Sequence, residues 1–324
     1  MKNGCLENTN NAHPKNFGLN SSGRLEWLDF GKAMGILVVL AVHAGCSLGA
    51  LTYYGGMFYM PIFFVTAGMT FSYKPEESFG TFAKKKAKRL LAPYFGYNLF
   101  LFAFFFLRGH ADMQTLLGIL YSRNCLMPMD SATNVYFMQI LNAPTWFLTC
   151  MFVSYILFWL LMRAAKGDSR KAFVGNGVYL LIAIALHYLC PILLPWSIDC
   201  AFYAVSFLIV GKLAAVQDWV GKLTKKPLYL ILLASAFALA SLWNGSVNMS
   251  VGDYGQSMAL YLFVGTAGSL IVMALCNAFY ATKHTEWLQK PLDFIGRHTL
   301  PILCLHLFVY SIIGTVLALL GITL

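Results

Sequence analysis

Long apolar runs alternate with short polar connections along the whole chain. The runs cover roughly residues 31–50, 55–73, 90–107, 144–162, 174–190, 198–216, 227–243, 257–280 and 299–322. A helix rising about 1.5 Å per residue needs about 20 apolar residues to cross a hydrocarbon core of about 30 Å, so each run is close to one crossing long. Lipid leaves backbone N–H and C=O groups without partners, which restricts such runs to helices. The pattern predicts an all-α fold, a polytopic integral membrane bundle of about nine to ten transmembrane helices. Between residues 108 and 143 the pattern is mixed, and ADMQTLLGIL there is expected to be an interfacial or re-entrant piece rather than a crossing. Without repeats or a soluble insert, residues 24–324 read as a single integral membrane domain. Residues 1–23 are polar and lack the apolar core of a signal peptide, so they are expected to form a disordered cytoplasmic tail.

Composition agrees with this reading and changes one part of it. Of 324 residues 59% are hydrophobic and 11% charged, too apolar for a soluble core of this size. The net charge of +10 could suggest nucleic acid, but the cations sit between apolar runs rather than on one soluble face, so no nucleic-acid partner is expected. The excess reads instead as topology. With a cytoplasmic N-terminus, all of the 23 lysines and arginines except Arg108 and Arg123 fall on the inside, which predicts a multi-pass protein of the cell (plasma) membrane in that orientation. The eight cysteines show neither CxxC pairs nor metal-ligand spacing and read as small core residues, with no metal expected. Cys190 and Cys200 flank one loop and could pair only if that loop met an oxidising space.

Ionisable residues inside the runs are the candidates for chemistry. Lys32 and His43 lie eleven residues apart, about three helical turns and about 16 Å of rise, so both point from one stripe. A neutral imidazole near mid-membrane can act as a base; a snorkelling lysine beside a hydrogen-bonded core histidine is the bland alternative. His306 lies seven residues into the last run at a similar depth, which makes the two histidines a candidate site or, again, satisfied core residues. Lys84, Lys85, Lys86, Lys88 and Arg89 directly precede the third run. They could anchor the chain on anionic lipid or bind a polyanion, and Arg89, closest to the membrane, suits bidentate phosphate recognition. On the outer side, Trp146 opens the fourth run as an interfacial anchor or a site residue. Asp199 opens the sixth, as a helix cap or as a partner for a polar acceptor.

In order as well as content these pieces resemble the integral membrane acyltransferase 3 family, and in particular its fucose 4-O-acetylase-like branch. Arg24 to Lys32, followed ten intervening positions later by His43, resembles the family's opening motif. Met60-Pro61-Ile62-Phe63-Phe64-Val65-Thr66-Ala67-Gly68 resembles its second-span signature, and Lys85 to Pro93 its basic approach to the third span. Trp146-Phe147-Leu148, Pro195 to Asp199, and Ile295-Gly296-Arg297-His298 through His306 complete the series. The resemblance implies transfer of an acyl group, usually acetyl from cytoplasmic acetyl-CoA, to a hydroxyl of a cell-surface carbohydrate or lipid-linked glycan precursor. By analogy His43 is the general base, Lys32, Arg89 and Lys85 face the coenzyme A phosphates, and Trp146, Asp199 and His306 bind the acceptor or shape its cavity. Lysine stands at position 32 where much of the wider family has arginine. The rival class is a small-molecule or glycan transporter with a buried histidine site.

Overall fold

The computed structural model describes residues 25–46, 48–128, 134–136, 142–282 and 286–321. The expected tail at 1–23, and Arg24 of the opening motif, lie outside them. The described residues are helical, without strands. The elements are α1 (Glu26–His43), α2 (Ala50–Phe58), α3 (Pro61–Met69), α4 (Phe79–Phe106), α5 (Met113–Tyr121), α6 (Trp146–Ala164) and α7 (Ser169–Leu189). There follow α8 (Ile198–Val216), α9 (Trp219–Lys225), α10 (Pro227–Asn244), α11 (Met258–Tyr280), α12 (Glu286–Arg297) and α13 (Thr299–Leu319).

Seven helices among the described residues are long and apolar enough to cross a membrane: α4, α6, α7, α8, α10, α11 and α13. Each corresponds to one apolar run. The other two runs deviate for identifiable reasons. α1 has 18 residues but carries Glu26, Asp29 and Lys32. The second run is a kinked helix, because Pro61 has no N–H to give the carbonyl four residues back. Tyr59 and Met60 stay in the helical region, so α2 and α3 join across a bend rather than a turn. α5 has nine residues, about 13 Å, half of what a crossing needs. A capping box between Asp112 and Thr115 starts it, in keeping with a non-spanning piece.

α8 forms the centre, buried almost continuously from Cys200 to Ala215, whereas α7, α10 and α13 turn apolar side chains such as Leu181, Leu232 and Ile312 outward. α3 lies directly on α8. A Cβ at Gly68 would collide with the Leu208 carbonyl, and one at Gly211 with the Val65 carbonyl, so reciprocal glycines let the two backbones touch. This is the physical content of the glycine that closes the second-span signature.

Candidate active site

At the basic end of the bundle, α1, α3, α4, α6 and the junction of α12 with α13 surround a cavity of about 910 Å³. Its wall holds six cations, Lys32, Lys74, Lys85, Lys86, Arg89 and Arg297, against two carboxylates, Asp29 and Glu77. Lys32, Lys85 and Arg89, taken from separate stretches of sequence, therefore share one chamber. α4 explains how: its 28 residues span about 42 Å, so the basic first turns run past the apolar part and line the mouth. Pro93 within it removes the hydrogen bond to the Arg89 carbonyl.

The cations are not equivalent. Lys32 Nζ lies 2.5 Å from Asp29 Oδ1, and the Asp29 side chain is almost fully buried. Lys85 Nζ lies 2.6 Å from Glu77 Oε1. Arg297 lies 3.5 Å from Glu26 and 3.9 Å from Asp29. Lys86 Nζ sits 3.4 Å from the centre of the Tyr155 ring, a cation–π contact. Arg89 is exposed to the cavity and makes no ion pair among the described residues. Of the three cations expected to meet phosphate, only Arg89 keeps its charge uncommitted.

Above the chamber the two histidines meet. His306 Nε2 and His43 Nδ1 are 2.9 Å apart. His306, on the second turn of α13, is buried, and its Nδ1 lies 2.9 Å from the Leu303 carbonyl and 3.1 Å from that of Ile302. The Tyr310 hydroxyl donates to the Leu40 carbonyl at 3.0 Å, a second tie between α13 and the end of α1. Neither imidazole lines the chamber itself. Its inner wall includes Leu303, one turn below His306, and Ile36, two turns below His43.

The position of His43 corrects the expectation of a mid-helix imidazole within a run to residue 50. α1 stops at His43, and the residue is exposed there. Gly45, at φ +69°, donates to the Val42 carbonyl and Cys46 to that of Ala41, the paired bonds of a Schellman stop. The glycine takes a left-handed conformation that would strain other residues. His43 thus ends its helix, exposed and off the wall of the basic cavity.

At the opposite end Asp199 is engaged within the protein rather than as a cap. It does not cap α8, whose N-terminus has no side-chain cap; its carboxylate pairs with Arg123, whose side chain is 1% exposed. Arg123 also donates to the Leu194 carbonyl at 3.2 Å and the Ser250 carbonyl at 2.6 Å, fastening three outer loops. Trp146 is buried, and its neighbours Phe147 and Leu148, not the indole, line the chamber. Cys190 and Cys200 are both free thiols. Sequence alone does not single out Asp29, Glu77 or Arg123 as site or scaffold residues, and it names Lys86 and Arg297 only as members of the basic stretch and of the last motif. Asp29 and Lys32, three apart on one helix, carried a usable signal; the Arg123 to Asp199 pair, 76 residues apart, carried none.

No curated protein and no solved structure gives a match to this chain. The model of the acyltransferase 3 family, described as an acyltransferase domain, matches residues 25–324, from the residue before α1 onward. With a helical membrane bundle under it, the chain belongs to the acyltransferase 3 family and is a membrane acyltransferase.

Proposed function

We infer that the protein moves an acetyl group from acetyl-CoA, reaching the basic chamber from the cytoplasm, to a hydroxyl of a cell-surface glycan or its lipid-linked precursor, as the fucose 4-O-acetylase-like branch does. One observation carries the reading: a chamber walled by six cations ends one turn short of a hydrogen-bonded histidine pair whose outer member, His43, is exposed. The cations suit the phosphates of coenzyme A, with Arg89 as the principal contact and Lys85 and Lys32 acting through charges shared with Glu77 and Asp29. The apolar lining of Ile36, Phe63, Phe147 and Leu303 suits an uncharged thioester arm. The crowding of lysines and arginines at this end supports a cytoplasmic N-terminus.

In the reaction His43 takes the proton of the acceptor hydroxyl as the acceptor oxygen bonds to the thioester carbonyl carbon. The carbon–sulfur bond breaks, and His43 returns the proton to the departing thiolate. The chain's own part is to bind the anionic donor below, hold the base, and leave the base open above. Acceptor roles for Trp146 and Asp199 draw no support from their surroundings, one being packed off the chamber and the other engaged by Arg123.

The test is transfer of radiolabelled acetyl from acetyl-CoA to glycan in isolated membranes, with mass spectrometry of the surface polymers in cells with and without the protein. Label on the polymer, lost with the protein, is the expected result. Passage of a glycan or small molecule without transfer of label would contradict it and favour a transporter.

A further inference from the structure

Resting on the reading of His43 as the base, we propose that His306 is a positioning residue that fixes which nitrogen of His43 carries the proton. The Leu303 and Ile302 carbonyls can only accept, so the His306 Nδ1 that lies 2.9 and 3.1 Å from them carries a hydrogen. His306 is 5% exposed, and no carboxylate pairs with either ring among the described residues, so a charged His306 would be buried without a counter-ion. Neutral and protonated at Nδ1, it offers a bare Nε2. The His43 nitrogen 2.9 Å from that lone pair is Nδ1, which must then be the donor. His43 is left with its proton on Nδ1 and its lone pair on Nε2.

The consequence is directional. Nδ1 of His43 faces the packed interior and α13, and Nε2 is the nitrogen left for a hydroxyl arriving at the exposed end of α1. With the other tautomer the lone pair would point at His306 and no base would face the acceptor. When His43 takes the hydroxyl proton on Nε2, its Nδ1–H still donates to His306, so the imidazolium keeps a partner through the step. A neutral histidine thus does for His43 what a carboxylate does for the histidine of a serine triad, without placing an anion in the bundle. The ties from His306 to the Leu303 and Ile302 carbonyls and from Tyr310 to the Leu40 carbonyl hold both rings to one helix pair.

The experiment uses full-length protein labelled with nitrogen-15 in histidine, in lipid bilayers, with the His43 signals assigned by their loss in His43→Ala. Solid-state NMR of the wild type is expected to show His43 protonated at Nδ1 and bare at Nε2. A proton on Nε2 in the wild type overturns the proposal whatever the variants do. His306→Leu removes the acceptor and is expected to release the tautomer and lower kcat about 10- to 100-fold, less than the about 10²- to 10⁴-fold that the base itself contributes, with donor KM unchanged. His306→Gln keeps an acceptor oxygen near the place of Nε2 and is expected to recover both the tautomer and most of kcat. Equal activity in wild type and His306→Leu, with His43→Ala inactive, sinks the positioning role and leaves the base in place. An active His43→Ala sinks the base instead.

Discussion

Arg89 and Arg123 carry the same guanidinium, and the bundle treats them in opposite ways. Arg89 stands exposed on the wall of the basic chamber with no ion pair among the described residues. Arg123, at the other end, is 1% exposed and fully engaged by Asp199 and the Leu194 and Ser250 carbonyls. A buried cation is tolerable only when it is paired and hydrogen-bonded, so Arg123 holds loops together and, at 1% exposure, is closed off from a ligand. A cation left uncommitted beside a cavity retains its capacity for a charged guest. The difference separates charge used as architecture from charge held for binding, and Lys32 falls between the two because Asp29 already claims it.

That contrast can be broken experimentally at several points. The largest effect is expected from Arg123→Ala, which strands the Asp199 carboxylate: loss of about 3–5 kcal/mol of stability, read as thermal unfolding in detergent, with donor KM unchanged in the protein that survives. Arg89→Ala should do the reverse. A lost charge-assisted bond to phosphate costs about 1.5–3 kcal/mol, so donor KM should rise about 10- to 100-fold with melting temperature and kcat unaltered. Lys32→Met tests the middle case. Asp29 would lose its nearest partner while Arg297 remains 3.9 Å away, so about 1–3 kcal/mol of stability should go, with a smaller rise in donor KM than at Arg89. A KM effect at Lys32 larger than at Arg89 would invert the assignment.

The smallest effect concerns Asp168, which caps α7. The Lys171 and Arg170 backbone N–H groups donate to its carboxylate and hold its pKa below the ordinary carboxylate value. A group whose pKa is lowered on folding stabilises the fold above its unfolded pKa of about 4, and that contribution disappears as pH falls through the lowered value. Asp168→Ala should therefore lower the melting temperature slightly at neutral pH and lose its effect in acid. A difference that grows with acidity would contradict the capping role.

What the sequence made legible follows from what hydropathy encodes. Crossing a bilayer imposes length and apolarity on each segment separately, and every one of the nine runs coincides with a helix or a kinked helix pair. The basic stretch before Pro93 and the lysine of α1 were readable as cavity candidates for the same local reason. Where α1 ends was readable too, since a glycine two residues after His43 is a helix stop, but the apolar pattern continues past it and masks the signal. Contacts between distant segments were not readable. The bond between His306 and His43 joins residues 263 apart, and the capture of Asp199 by Arg123 joins residues 76 apart. Such pairs depend on how helices pack, which no single segment records. Arg297 entered the chamber wall for that reason as well, brought there because Gly296 lets α12 press against the backbone of Asp29.

The most direct measurement is the rate of acetyl transfer from labelled acetyl-CoA to glycan in membranes carrying His43→Ala at wild-type abundance. If His43 is the base served by the basic chamber below and open to the acceptor above, the rate should fall about 10²- to 10⁴-fold while donor binding stays unchanged. A rate within a few-fold of wild type would contradict it and move the chemistry elsewhere in the bundle.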